Sequence, residues 1–245
     1  MHRFFVPADS LRDKQVILTG PKVHQIRDVL RMKSGDKIIV LDNTGYEYTV
    51  ALIKIERRQV VGELLDSKIS EGEPKTRITL YQSILAREKF EWILQKCTEV
   101  GVCCFVPVLT QRSIVRRLES VTTKKITRWQ SIITEAAEQS GRGKIPMLEK
   151  PLNFSDVLTG IGDFDCCLIG STQTDIPILR EIIKGKDSQI EKIALFIGPE
   201  GGFTEKEIAD AGCGGAKAFG LGKRVLRTET AAIVASVLIL YEIDR

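Results

Sequence analysis

Ile193-Ala194-Leu195-Phe196-Ile197-Gly198-Pro199-Glu200-Gly201-Gly202-Phe203-Thr204 is an apolar run that breaks into a loop of three glycines around a proline. A short, wholly apolar run reads as a strand buried on both faces, as in the parallel sheets of α/β proteins. Thr204 with Glu207 three residues on makes a capping box, so a helix starts directly after the loop. Strand, glycine loop and helix in that order place the loop where α/β sheets bind ligands, at the carboxyl end of a strand. Glycines allow positive φ angles and let backbone amides approach a ligand closely. A loop that only turned the chain would not need three glycines and a glutamate.

The same rhythm extends on both sides. Strands are predicted over 77–85, 103–109, 165–170, 193–198 and 216–221, and helices over 88–100, 122–140, 176–184, 204–211 and 228–243. Alternating strands and helices predict a parallel α/β sheet covered on both faces. Residues 1–70 differ. Short β-branched and aromatic runs predict strands over 2–6, 15–18, 37–41, 46–55 and 59–65. Val23, Ile26, Val29 and Leu30 fall at helical spacing, with Pro21 in the first turn. Many short strands and one helix predict a small barrel. The polar stretch 67–76, with Gly72 and Pro74, is the linker region, which sets the domains at 1–70 and 77–245 with 71–76 between them.

Two further strand ends carry chemistry: Leu168-Ile169-Gly170-Ser171-Thr172 and Leu221-Gly222-Lys223-Arg224-Val225-Leu226-Arg227. Neither they nor the first loop is a P-loop, because no Gly-Lys-Ser/Thr follows at the required distance. Gly220-Leu221-Gly222 opens like a dinucleotide fingerprint, but Val225 occupies the third glycine position. By themselves the loops specify a small ligand and leave its identity open. The last helix is apolar almost all round from Thr230 to Leu240, as a buried or interfacial helix is, yet it opens on Arg227-Thr228-Glu229-Thr230. Core packing accounts for the apolar part and not for that entrance.

Across 245 residues, 43% hydrophobic and 28% charged content fit a soluble globular protein, and no apolar stretch is long enough to span a bilayer. The N-terminus lacks the pattern of a secretory signal, so a cytoplasmic protein is expected. The six cysteines form no C-x-x-C pair and read as small buried hydrophobes, with no metal site expected. Net charge is only +4, but Arg112, Arg116, Arg117, Lys124, Lys125 and Arg128 face a single acid, Glu119, between 112 and 128. Such a cluster suits a phosphate backbone or simply a solvated face.

Taken together, Ile197-Gly198-Pro199-Glu200-Gly201-Gly202-Phe203 and Leu221-Gly222-Lys223-Arg224-Val225-Leu226-Arg227-Thr228-Glu229-Thr230-Ala231 closely resemble the bacterial 16S ribosomal RNA uridine-N3 methyltransferases, of the SPOUT class of knotted methyltransferases. The resemblance covers the whole chain. Arg3-Phe4-Phe5, His24, Val29-Leu30-Arg31 and Lys33-Ser34-Gly35-Asp36 match its N-terminal part. Lys96 to Gly101, Arg112-Ser113 and Glu135 to Arg142 match its middle.

The resemblance implies a PUA-like β-barrel followed by a SPOUT α/β domain with a C-terminal trefoil knot, and a homodimer packed through the knots. It implies S-adenosylmethionine as donor, bound by Leu168, Ile169 and Gly170, by Ile197, Gly198, Pro199, Glu200, Gly201 and Gly202, and by Leu221, Gly222, Val225, Leu226 and Thr230. The substrate implied is 16S ribosomal RNA or the small ribosomal subunit, gripped by Arg3, His24, Arg31, Arg112 and Arg116. For catalysis, Arg227, with Arg142 from the partner subunit, is expected to stabilise charge on the uracil, and Glu200 or Glu229 to take the N3 proton. Two rival functions remain: an RNA-binding protein without catalysis, and a nucleotide-dependent oxidoreductase. The intact Arg-Thr-Glu-Thr entrance weighs against the first and the missing third glycine against the second.

Overall fold

The structure, a computed structural model, describes residues 1–173, 175–184 and 190–244. The chain divides into two units: Met1–Glu73 with Ala137–Ile145, and Pro74–Ala136 with Pro146–Arg245.

In the first unit the alternating runs become β1 (Arg3–Phe5), β2 (Leu11–Arg12), β3 (Gln15–Thr19), β4 (Lys37–Leu41), β5 (Tyr46–Ile55) and β6 (Gln59–Ile69). They form one curled sheet in the order β1-β4-β5-β6-β3-β2, antiparallel except for β1 beside β4. Val16, Leu18, Ile38, Val40, Val50, Leu52 and Val60 point inward as the period of two requires, and Phe4, Val23 and Ile26 close that core. β6 runs on through Ser67–Ile69, because Tyr46, Glu47 and Tyr48 pair with Ile69, Lys68 and Ser67.

Gly62 marks the tightest point of the sheet. A Cβ there would lie 2.3 Å from a Val50 methyl and 3.1 Å from the Ala51 carbonyl oxygen. Gly62→Ala is therefore expected to destabilise the protein by about 1–3 kcal/mol through overpacking. Denaturant unfolding checks this, and a variant as stable as the parent would contradict it.

The helix expected near Pro21 is present in altered form. It starts at Pro21 as α1 (Pro21–His24) and widens into a π turn over Gln25–Val29, where Leu30 N–H donates to the Gln25 carbonyl. The wider turn rotates the face by about one position. Ile26 is fully buried, but Val29, expected on the buried face, is 63% exposed.

The second unit holds β7 (Arg77–Ser83), α2 (Arg87–Val100), β8 (Cys104–Leu109), α3 (Thr123–Ser140), β9 (Met147–Leu148), β10 (Leu152–Asn153), α4 (Phe154–Val157), β11 (Cys166–Gly170), α5 (Leu179–Ile183), β12 (Lys192–Ile197), α6 (Glu205–Cys213), β13 (Lys217–Phe219) and α7 (Thr228–Ile243). The last four residues of α3 count with the first unit, where Ala137 packs on Phe5, Ile39 and Leu41. Every pairing in the sheet is parallel, as expected, in the order β10-β8-β7-β12-β11-β13 with β9 also on β8. β12 is the buried central strand. From β7 the chain moves outward to β8, whereas β11, β12 and β13 fill the other side, so the two halves of the sheet meet between β7 and β12. That seam is where an open α/β sheet leaves a crevice at its carboxyl end.

The helix expected over 176–184 shortens to α5. Ile178 pairs as an isolated parallel bridge with Gly220, and Leu179 N–H donates to the Gly220 carbonyl, so these groups serve the sheet edge before the helix begins. No helix among the described residues is long and apolar enough to cross a membrane.

Candidate methyl-donor site

The carboxyl ends of β11, β12 and β13 bring the three loops together. Ser171 N–H donates to the Phe219 carbonyl, and Gly220 N–H to the Pro177 carbonyl, so the loop after β11 is laced to the one after β13. After β12 the chain turns at once: Gly202 N–H donates to the Pro199 carbonyl over 2.8 Å, and Gly202 takes φ +67°, a conformation that favours glycine. Gly198 is held against the far side of the same turn. A Cβ at Gly198 would stand 3.1 Å from both the ring and the backbone nitrogen of Phe203. Phe203 anchors the turn in the core against Phe154. The loop is thus a preformed bend whose shape depends on glycine at two points.

The capping box is as the sequence predicts. Thr204 N–H donates to the Glu207 carboxylate over 2.8 Å, and Glu207 N–H to the Thr204 hydroxyl over 3.2 Å. The same carboxylate also accepts from Gln111 N–H at 2.8 Å, which fixes the segment after β8 beside the loop after β12. There Arg112 donates to the Gly201 carbonyl at 2.8 Å, and Ser83, Thr110 and Ser113 form a closed ring of buried hydroxyls at 2.8 to 2.9 Å. Arg116 turns back on the Gln111 carbonyl.

Glu200, exposed on the loop, is ion-paired with Lys89 of α2 at 2.7 Å. Burial pushes the Glu200 carboxyl up, but the Lys89 ammonium and a backbone N–H outweigh it and hold the group below the usual carboxylate range. The contact with Glu200 raises the Lys89 ammonium in turn. A depressed carboxylate keeps its pairing at neutral pH and loses it only as pH falls through the lowered value. Lys89→Met removes the main lowering influence, so the Glu200 carboxyl should titrate at a higher pH than in the parent. Carboxyl-carbon NMR reads this directly, and an unmoved titration would show that the pair does not form in solution.

The entrance of α7 is joined to the loop after β12 by one residue. The buried Thr228 hydroxyl donates to the Gly198 carbonyl and lies 3.5 Å from the Gln82 amide nitrogen. On either side of it, Arg227 is exposed at the N-cap and Glu229 lies in the first turn. One carboxylate oxygen of Glu229, Oε2, and the side-chain oxygen of Gln82, Oε1, are buried and lack a hydrogen-bond partner among the described residues. A buried acceptor without a donor costs about 1–3 kcal/mol, so such groups collect where a ligand supplies the donor. S-adenosylmethionine offers amino, ammonium and hydroxyl donors. Together with a glycine bend that a side chain would fill, the orphaned Gln82 oxygen fits a molecule of that kind.

Of the residues expected to hold the donor, Leu168, Ile169 and Gly170 end β11, Ile197 to Gly202 form the bend after β12, and Leu221, Gly222, Val225, Leu226 and Thr230 lie between β13 and the first turn of α7. Arg142 lies in the first unit, 2% exposed and held by Glu73 through two contacts of 2.8 and 3.2 Å. There too, Arg3 pairs with buried Glu47, which also takes Lys68, and exposed His24 contacts Asp28 at 2.6 Å. Arg27, and to a smaller extent His24, hold the Asp28 carboxyl far below its ordinary range. Arg31 is exposed in the left-handed region at φ +53°. Sequence reasoning missed Gln82, Lys89 and the second role of Glu207. Among the described residues no cluster of three or more His, Cys, Asp or Glu could hold a metal ion.

The chain matches the model of an RNA methyltransferase domain over residues 72–240 and that of an RNA methyltransferase PUA domain over residues 18–65. It is 32% identical over 251 residues to Ribosomal RNA small subunit methyltransferase E of Bacillus subtilis, covering 100% of this chain and 98% of that one. A protein of the same name from Synechocystis is 33% identical over 235 residues, covering 96% of this chain and 75% of that one. The crystal structure of a Ribosomal RNA small subunit methyltransferase E from Neisseria gonorrhoeae bound to S-adenosyl methionine superimposes with a TM-score of 0.86 at 32% identity, over 99% of this chain and 98% of that one.

Proposed function

Because the chain belongs to the RNA methyltransferase family that joins a PUA domain to a methyltransferase domain, we propose that it methylates small-subunit ribosomal RNA, with S-adenosylmethionine as donor and N3 of a specific uridine as acceptor. The observation that carries this reading is the tie through Thr228. It joins the glycine bend, suited to a cofactor, to Arg227 and Glu229, suited to act on a base.

When bound, S-adenosylmethionine supplies a methyl group activated by an adjacent sulfonium. The end of β11 at Leu168–Gly170 and the bends at Ile197–Gly202 and Leu221–Leu226, with Thr230, would hold it chiefly through backbone groups. Loss of the N3–H proton puts negative charge on the uracil carbonyls, and that charge would be discharged as N3 takes the methyl group, with the S–C bond breaking and the donor leaving as a neutral thioether. Arg227 stabilises that charge. Glu229 takes the proton, since one of its carboxylate oxygens is buried without a donor whereas Glu200 is already neutralised by Lys89. Arg142 is committed to Glu73, which suits fastening the first unit better than reaching a substrate.

The curled first unit, with Arg3, His24 and Arg31, and the exposed Arg112 and Arg116 of the second bind RNA phosphates on this reading. Val237, Leu238 and Tyr241 on α7 are exposed apolar residues and offer a surface to a second copy, in keeping with a homodimer. A cytoplasmic location follows from a ribosomal RNA substrate.

Calorimetry with S-adenosylmethionine and transfer of a labelled methyl group to purified small subunits test the proposal. Saturable binding and label recovered as N3-methyluridine are expected. Binding without transfer to either subunits or stripped RNA would favour the non-catalytic alternative.

A further inference from the structure

Gln82 sits in a strand whose neighbours are apolar, next to the end of β7, and is 1% exposed. Its register partner is Ile197, the last residue of β12, so its side chain lies at the seam where the two halves of the sheet meet. If packing alone mattered, leucine or methionine would fill the space without burying an amide. The two hydrogens on Nε2 are instead shared among the Ser83 carbonyl at 3.1 Å, the Ile197 carbonyl at 3.4 Å and the Thr228 hydroxyl at 3.5 Å. Two of those partners can only accept, which fixes the orientation of the amide, because a flipped one would set oxygen against oxygen. The Thr228 hydroxyl in turn donates a hydrogen bond to the Gly198 carbonyl. A hydrogen-bonded chain therefore runs from β7 to the end of β12 and into the first turn of α7. The other end of the amide, Oε1, is buried and has no donor among the described residues.

We infer that Gln82 is a positioning residue of the methyl-donor site: its nitrogen aligns the Ile197–Gly198 bend with the entrance of α7, and its oxygen accepts a hydrogen bond from the bound donor molecule. The inference rests on the reading of this site as one for S-adenosylmethionine. Because Arg227 and Glu229 flank Thr228, the alignment sets the donor half of the reaction against the half that handles the uracil. Gln82 itself touches no reacting atom.

Two variants test it. Gln82→Met keeps the length and removes both functions of the amide. Gln82→Glu keeps an acceptor and can donate only when its carboxyl is protonated. For Gln82→Met, S-adenosylmethionine affinity measured by calorimetry should weaken by roughly 10-fold or more. Amide exchange over residues 198–203 of the ligand-free protein should quicken, and turnover per donor-binding site should fall about 100-fold. For Gln82→Glu, the ratio of its turnover to that of the parent should rise as pH is lowered, which a packing role would not produce. A folded Gln82→Met protein with the affinity, exchange and turnover of the parent would overturn the inference. If that variant fails to fold, a Gln82→Glu ratio that stays flat with pH overturns it instead. A parent chain that does not bind S-adenosylmethionine would overturn the reading of the site itself, and this inference with it.

Discussion

Arg227→Ala is expected to bind S-adenosylmethionine as the parent does and to lose about 100- to 1,000-fold in turnover. The residue stands at the N-cap of α7, where a side chain caps by accepting a hydrogen bond, which a guanidinium cannot do. It is exposed and directly precedes Thr228, whose hydroxyl is fastened to the donor loop. A cation in that place is worth little to folding and much to a reaction in which the uracil becomes anionic. Arg227→Lys keeps the charge but loses the planar fork, and should fall between parent and alanine variant. Single-turnover methyl transfer at saturating donor separates binding from chemistry. Unchanged turnover in Arg227→Ala would remove the residue from the mechanism.

Glu229→Gln is the second large effect, with an expected loss of about 100- to 10,000-fold in turnover and little change in donor affinity. The substitution keeps size and burial but replaces a base with an amide. Glu200→Gln is the internal comparison. Glu200 is held ionised by Lys89 and below the usual carboxylate range, which makes it a weaker base. Its substitution should therefore cost less than that of Glu229. The reverse order would exchange their roles.

Much of this arrangement is legible in the chain because it is written locally. The apolar β12, the glycine bend after it and the Thr204–Glu207 box are contiguous, and each follows from backbone geometry or hydrogen-bond satisfaction. The alternation of strands and helices likewise gives the parallel sheet. What local patterns leave out is pairing across distance. Lys89 and Glu200 are 111 positions apart, and Gln111 and Glu207 are 96 apart, so only the order of strands brings them together. Gln82 does carry a signal, a polar residue inside a buried strand, but its meaning depends on the register that sets it opposite Ile197. Local energetics also shift two expected helices. A π turn moves Val29 outward, and the bridge from Ile178 to Gly220 delays the start of α5.

On the proposed function, the site between the glycine bend and the entrance of α7 places a methyl group on N3 of a uridine in small-subunit RNA. Mapping modified nucleotides in that RNA from cells with and without this protein tests it most directly. Loss of a single N3-methyluridine, restored by the parent chain and not by Arg227→Ala, is the expected result. A methylation map unchanged by removal of the protein would contradict it.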